Sequence, residues 1–209
     1  MVAKLLTLVF LIIPTFIQAQ WVWKSPYPQG NNIHQIFTEN NNTLFGTGDY
    51  GTIISSTNSG TDWNVSNKIF NITNSLSNYI KIDEQIFLLV SDNGVILKST
   101  NAGINWITFS EISVLNNQTV SGVNFPSEDT GYVITTNGKV VKTINKGIVW
   151  EEIFSDSQAN FNSVIFLNNN TGFVSAGENF FSAPNLYKTT NGGVDWEVLT
   201  VGNFNILYL

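Results

Sequence analysis

An eight-residue pattern, Ser/Thr-x-Asn-x-Gly-x-x-Trp, recurs four times and restricts the fold more than any other feature of the chain. The copies are Ser56 to Trp63, Ser99 to Trp106, Thr143 to Trp150 and Thr189 to Trp196. Their closing tryptophans are 43, 44 and 46 residues apart. A period near 45 residues is that of one four-stranded sheet per repeat, the blade of a β-propeller.

The segments between the boxes fit that unit. Short runs rich in Ile, Val, Phe, Tyr and Thr alternate with clusters of Asn, Gly, Asp and Ser, the pattern of strands and turns. The first unit predicts strands over Ile33 to Phe37, Thr43 to Thr47, Thr52 to Ser55 and Trp63 to Val65. The second predicts Tyr79 to Ile82, Gln85 to Val90, Val95 to Ser99 and Trp106 to Phe109. The third predicts Ser121 to Phe125, Gly131 to Thr135, Lys139 to Thr143 and Trp150 to Phe154. The fourth predicts Phe161 to Leu167, Gly172 to Ser175, Leu186 to Thr189 and Trp196 to Leu199. Second and third strands are joined by Asp49-Tyr50-Gly51, Asp92-Asn93-Gly94 and Thr136-Asn137-Gly138, which is hairpin chemistry. No stretch carries a helical apolar period, so the fold class is all-β, a propeller of four-stranded antiparallel blades.

Within each box the residues have mechanical roles. The Asn side chain accepts bonds from the backbone of its own turn, as in an Asx-turn. The Gly supplies a backbone conformation that other residues resist. The Trp opens the fourth strand and packs its ring between sheets. The structural set is therefore Asn58, Gly60, Trp63, Asn101, Gly103, Trp106, Asn145, Gly147, Trp150, Asn191, Gly193 and Trp196.

Residues 1–19 stand apart. A basic start at Lys4, an apolar run from Leu5 to Ile17 and a small residue at Ala19 form a secretory signal peptide, with cleavage after Ala19. The run is too short for the ~20 residues that cross a bilayer core, so no membrane insertion is expected after cleavage. The mature chain, 20–209, is expected to be exported, to the cell surface, the periplasm or the medium. It contains no Cys, which removes disulfides and thiolate chemistry. The formal net charge of −6 argues against nucleic acid as a partner. All nine basic residues are Lys, and Arg is absent.

The repeat divides the mature chain into a closing strand at 20–30, blades at 31–68, 74–111, 118–155 and 160–200, and the start of a fifth blade at 203–209. Trp21 and Trp23 lie on the closing strand, which has the look of a fourth strand without the first three. Asn203 to Tyr208 repeats Asn160 to Ile165 with one residue dropped. The chain is thus expected to stop inside a fifth blade and to be part of a longer protein.

The boxes resemble the Asp-box, or BNR repeat, of sialidases and sortilin-type receptors. The fuller pattern, with Trp23 to Asn31 and Gly48-Asp49-Tyr50-Gly51-Thr52-Ile53-Ile54 ahead of a box, is similar to photosystem II stability/assembly-factor-like propellers of exported bacterial proteins. That resemblance implies the fold and leaves function open, because such boxes sit on hosts of many activities. Every box here has Asn where the family has Asp, so none offers the carboxylate of that position, and neutral amides on four separate blades do not converge on a cation. A sialidase site would need arginines to clamp the substrate carboxylate, and Lys lacks that planar fork. The assembly-factor role, which the resemblance ties to an Arg-rich patch, meets the same absence.

The expected function is a non-catalytic binding or scaffold module for an unidentified protein or glycan, with no cofactor and no metal. The candidate contact residues are Asp49, Tyr50, Asp92, Glu178, Phe180 and Phe181. They sit on turns between second and third strands, opposite the boxes, and the fourth of these turns is lengthened and carries adjacent aromatics. The alternative is a propeller glycoside hydrolase with two carboxylates in one cleft, drawn from Asp49, Asp92 and Glu178 and partly from blades beyond this chain. His34, the single histidine, is expected on a first strand without an acidic partner. Lys98, Lys139, Lys142, Lys146 and Lys188 are expected as solvated charges on third strands and box turns.

Overall fold

The computed structural model describes residues 30–65, 75–177 and 185–200. Trp21, Trp23, Glu178, Phe180, Phe181 and the segment 203–209 lie outside the described residues. Those residues form four four-stranded antiparallel sheets, each running in chain order from first strand to fourth. The first sheet holds β1 (Ile33–Thr38), β2 (Leu44–Gly48), β3 (Ile53–Ser56) and β4 (Asn64–Val65). The second holds β5 (Leu76–Lys81), β6 (Phe87–Ser91), β7 (Val95–Ser99) and β8 (Ile107–Glu111). The third holds β9 (Val120–Asn124), β10 (Gly131–Thr135), β11 (Lys139–Thr143) and β12 (Glu151–Ser155). The fourth holds β13 (Asn160–Phe166), β14 (Gly172–Gly177), β15 (Asn185–Thr189) and β16 (Glu197–Thr200). Strand ends differ from the sequence expectation by a few residues.

Stacking explains the composition of the second strands. β6 and β10 are buried along their whole length, since an inner sheet meets a neighbour on both faces and cannot alternate apolar with polar residues. Three apolar clusters fill the seams. Phe45, Ile53, Phe87 and Leu89 lie between the first and second sheets. Leu88, Ile96, Val133 and Val141 lie between the second and third. Tyr132, Ile134, Val140 and Val174 lie between the third and fourth. First strands pack against one another, β1 on β5, β5 on β9 and β9 on β13, and so form the inner side of the array.

The box is a hydrogen-bonded knot repeated four times. In the second copy Ser99 Oγ accepts from the backbone N–H of Gly103 at 2.8 Å and donates to Asn101 Oδ1 at 3.1 Å. Asn101 Oδ1 in turn accepts from the N–H of Asn105 at 2.9 Å, and the Trp106 indole donates to the Gly103 carbonyl at 3.0 Å. The same bonds recur around Ser56, Thr143 and Thr189. Two corrections to the sequence reading follow. The Asn reaches four residues ahead, further than an Asx-turn. The Trp, tied back to the Gly, still belongs to the turn, and the fourth strand begins one residue later.

Three of the box tryptophans pack backwards on the preceding blade. Trp106 joins the seam with the first sheet and Trp150 the seam with the second, each 5% exposed; Trp196 packs against the third. Trp63 makes the same indole bond but is only half-buried. All four box glycines have positive φ, and at Gly103 and Gly193 a Cβ would also clash with the preceding blade. Gly103 has φ +80°, and a Cβ there would lie 2.6 Å from the Phe45 ring of the preceding blade.

Removing the Trp150 ring is expected to cost about 3–5 kcal/mol, the range for emptying a core aromatic site. Trp63→Ala should cost clearly less, and urea unfolding midpoints of the two variants make the comparison. Asn145→Ala should lose about 1–2 kcal/mol through the turn bond from the Val149 N–H, whereas Asn145→Asp keeps the acceptor and should lose less.

Candidate functional site

The two ends of the array are built differently. At the box end, the residue between Asn and Gly donates its N–H to the turn joining first and second strands. These bonds are Ser59 to Asn42, Ala102 to Gln85, Lys146 to Asp129 and Gly192 to Asn170. At the opposite end lie the turns between second and third strands, the starts of the first strands and the connections from one blade to the next. The register places them together, since Leu76 pairs with Ser91 and Val95 pairs with Glu111.

A β-bulge recurs at this second end. In all four sheets the first strand carries one extra residue against the second strand: His34, Ser77, Ser121 and Asn162. A bulge re-aims its side chain and bends the strand locally. Each bulged residue here is polar and sits on the inner strand of its blade. Three of them meet the neighbouring turn. His34 Nε2 lies 2.5 Å from Asp49 Oδ1, Ser77 Oγ donates to Asp92 Oδ1, and the Asn162 amide closes over Gly177. Ser121 Oγ is buried with no protein partner among the described residues, as are Gln35 Oε1 and Asn160 Oδ1 on the same set of strands.

Asp49 is the most heavily bonded carboxylate of this end. Besides His34 it accepts from Ser75 Oγ at 3.0 Å and from the Asn32 amide at 2.9 Å. The bond with His34 does most to hold its carboxyl below the usual range, and Ser75 adds to that effect. His34 therefore has an acidic partner, contrary to the sequence expectation; β1 and the turn after β2 bring together residues fifteen apart in sequence. The trio is not a nucleophilic triad. Asp49, not His34, stands in the middle, so Ser75 has no base to take its proton.

Tyr50, at the tip of the same turn, has φ +54° and is 60% exposed. Asp92 is half-buried beneath the turn of the second blade. The two carboxylates bond serines two residues apart at the start of β5, Asp49 to Ser75 and Asp92 to Ser77. Glu178, Phe180 and Phe181 belong to a segment outside the described residues. Next to that segment, Asp156, Gln158, Ala159, Gly177, Asn185 and Tyr187 line a cavity of about 60 Å³. It has room for little more than water, and Tyr187 donates to Asp156 across it at 2.7 Å.

The bulged residues are what sequence reasoning missed. Their signal is present: Ile33-His34-Gln35-Ile36, Leu76-Ser77-Asn78-Tyr79 and Phe161-Asn162-Ser163-Val164 each place two polar residues between apolar ones. Two polar residues in succession break a period of two, which is what an extra residue in a strand produces. The lysines also divide differently from the expectation of solvated charges. Lys139 bonds Glu152 at 2.8 Å and Lys146 bonds Glu128 at 3.3 Å, while Lys142 is half-buried between blades.

A depressed Asp49 stabilises the fold above the carboxyl's ordinary value of 3.8, and that contribution is lost as pH falls through its folded value. Asp49→Asn should therefore lower the urea midpoint at pH ~7, with the gap to the parent protein narrowing below pH ~4. A deficit that stays constant with pH would assign the loss to packing instead.

No family model matches the chain, and no curated protein does. Solved structures do. An ancestral GH74 enzyme matches with a TM-score of 0.60 at 20% identity, over 85% of this chain and 25% of that one. YCF48 bound to D1 peptide matches with a TM-score of 0.57 at 13% identity, over 86% of this chain and 70% of that one. The GH74 xyloglucanase from Xanthomonas campestris matches with a TM-score of 0.56 at 14% identity, over 75% of this chain and 29% of that one. The chain thus spans about a quarter of the length of the GH74 enzymes. At these identities the likeness is one of fold: this is an all-β chain of propeller blades.

Proposed function

We propose that the protein is an exported, non-catalytic BNR-type propeller, similar to assembly factors without a photosynthetic role, that binds protein or glycan at the end opposite its boxes. The observation that carries this reading is the set of four bulges. They turn His34, Ser77, Ser121 and Asn162 towards one end of the inner strands. Loop and bulge positions on a rigid scaffold are where recognition residues concentrate. The buried acceptors Gln35 Oε1 and Asn160 Oδ1 favour a polar, hydroxyl-bearing or amide-bearing ligand, which would supply the donors they lack. Tyr50 adds an exposed ring at the rim, a side chain suited to sugar or peptide contact. That YCF48 was solved with a peptide gives the peptide arm of the proposal its precedent.

Screening the secreted protein against a glycan array and a peptide library tests this reading. Hits should weaken on Tyr50→Ala and His34→Ala with the fold intact by circular dichroism. Hits that ignore both changes would move the site elsewhere. Export has its own check: mass spectrometry of the mature protein should find Gln20 at the N-terminus.

A second reading, glycoside hydrolysis, draws on the carboxylates Asp49 and Asp92, which lie at the same end of the blades. Asp49, held ionised by its partners, suits a base; a general acid needs the opposite environment. Incubation with xyloglucan, the substrate named for the Xanthomonas enzyme, should release no reducing ends if the protein only binds. Release that disappears in Asp92→Asn would establish the hydrolase.

A further inference from the structure

Box four departs from the other three at a single position. The residue between Asn and Gly has positive φ in every box, and it is Ser59 (φ +58°), Ala102 (+52°) and Lys146 (+63°) in the first three. In the fourth it is Gly192, at φ +73°. A side chain is thus tolerated at this conformation, and backbone strain alone does not require Gly192. Space does: a Cβ there would lie 3.0 Å from Lys142 Nζ and 2.9 Å from the Asn169 carbonyl oxygen.

The room kept free is a cavity of about 290 Å³, lined by Lys142, Ile153, Gly192, Gly193 and Val194. It lies on the seam between the third and fourth blades. Ile153 is the extra residue of a bulge in β12, aimed into the seam. Val194 is 75% exposed at the mouth. Lys142 reaches in from β11, donates to the Gly192 carbonyl at 2.9 Å, and has its Nζ 5.3 Å from the centre of the Tyr132 ring. No carboxylate pairs Lys142 among the described residues, unlike Lys139 and Lys146. Burial accordingly pulls its pKa down. An ammonium with a spare N–H, an apolar wall and a bare backbone floor is one half of an ion pair.

We propose that this cavity binds a small carboxylate with a short aliphatic tail, its carboxylate on Lys142 Nζ and its tail against Ile153 and Val194. The volume is at the small end for ligand pockets, so the tail is limited to a few carbons. The same chemistry is offered by a free short-chain acid and by the C-terminus of a peptide ending in an aliphatic residue. The site is independent of the face opposite the boxes and stands whether or not that face binds anything.

The test is calorimetric or NMR titration of the intact protein with hexanoate, with a tripeptide ending in Leu as free acid, and with hexylamine as the charge-reversed control. At least one of the two acids should saturate, and which one identifies the source. Lys142→Gln should weaken binding at least about tenfold, the usual loss for one charge-assisted bond. Gly192→Ala should also weaken it, by crowding Lys142 Nζ; Val194→Asp, which sets a second carboxylate at the mouth on a side chain 75% exposed, should weaken it too and keeps the test open if either of the other variants fails to fold. Lys139→Gln should bind as the parent does. Failure of both acids to saturate, equal binding of hexylamine, or undiminished binding by Lys142→Gln would each overturn the proposal.

Discussion

In every blade one hydroxyl holds the turn on which sheet stacking depends. Ser99 Oγ takes hydrogen bonds from two backbone N–H groups, those of Asn101 and Gly103, and gives its own proton to the Asn101 side chain. With the amide so oriented, its oxygen can collect the N–H of Asn105. The backbone then turns through two consecutive left-handed residues, Ala102 and Gly103. That conformation carries the Gly103 carbonyl to the Trp106 indole and directs the ring onto the blade before it. Without the hydroxyl, three groups lose a bond together, and the buried Gly103 N–H, left without an acceptor, costs about 1–3 kcal/mol by itself. The dependence runs in one direction, from turn to ring, from ring to seam, and from seam to the spacing of the inner strands.

That chain of dependence divides the molecule into an end that assembles and an end that the proposed binding role would use. The box end is occupied with itself: side chain, backbone and the adjacent turn satisfy one another in all four copies. Neutral Asn suits this role better than Asp would, since a carboxylate can only accept and would not donate to Asp62 or Asp195 as the Asn58 and Asn191 amides do. At the other end the four bulges gather polar residues that are bonded to turns or left without a partner. The fourth box keeps space beside it, with no side chain at Gly192.

The blades were legible in the sequence because the box is local. Eight consecutive residues specify the hairpin, and their spacing counts the sheets whatever else the chain does. Second and third strands such as Gly131–Thr135 and Lys139–Thr143 were readable to the residue, since a hairpin glycine fixes one end and a box the other. The site was less legible because it is made of long-range geometry. His34 and Asp49 are each unremarkable in their own segment; only the pairing of β1 with β2, with its extra residue, brings them together. Lys142 and Gly192, fifty residues apart, meet across a seam that no local pattern announces.

The carboxylates decide what the recognition end is suited to. Asp49 is surrounded by three donors, from His34, Ser75 and Asn32, and all of them favour the anion. An acid that protonates a leaving group must instead be held neutral, by apolar surroundings or by a second negative charge close by. Asp92 likewise takes a donor, the hydroxyl of Ser77. Two anions held in this way are prepared to accept hydrogen bonds from a ligand. Under the proposed binding role, sugar hydroxyls and peptide N–H groups would supply such bonds. The net charge of −6 has the same sign as this pair of carboxylates, which argues against a polyanionic partner at this end.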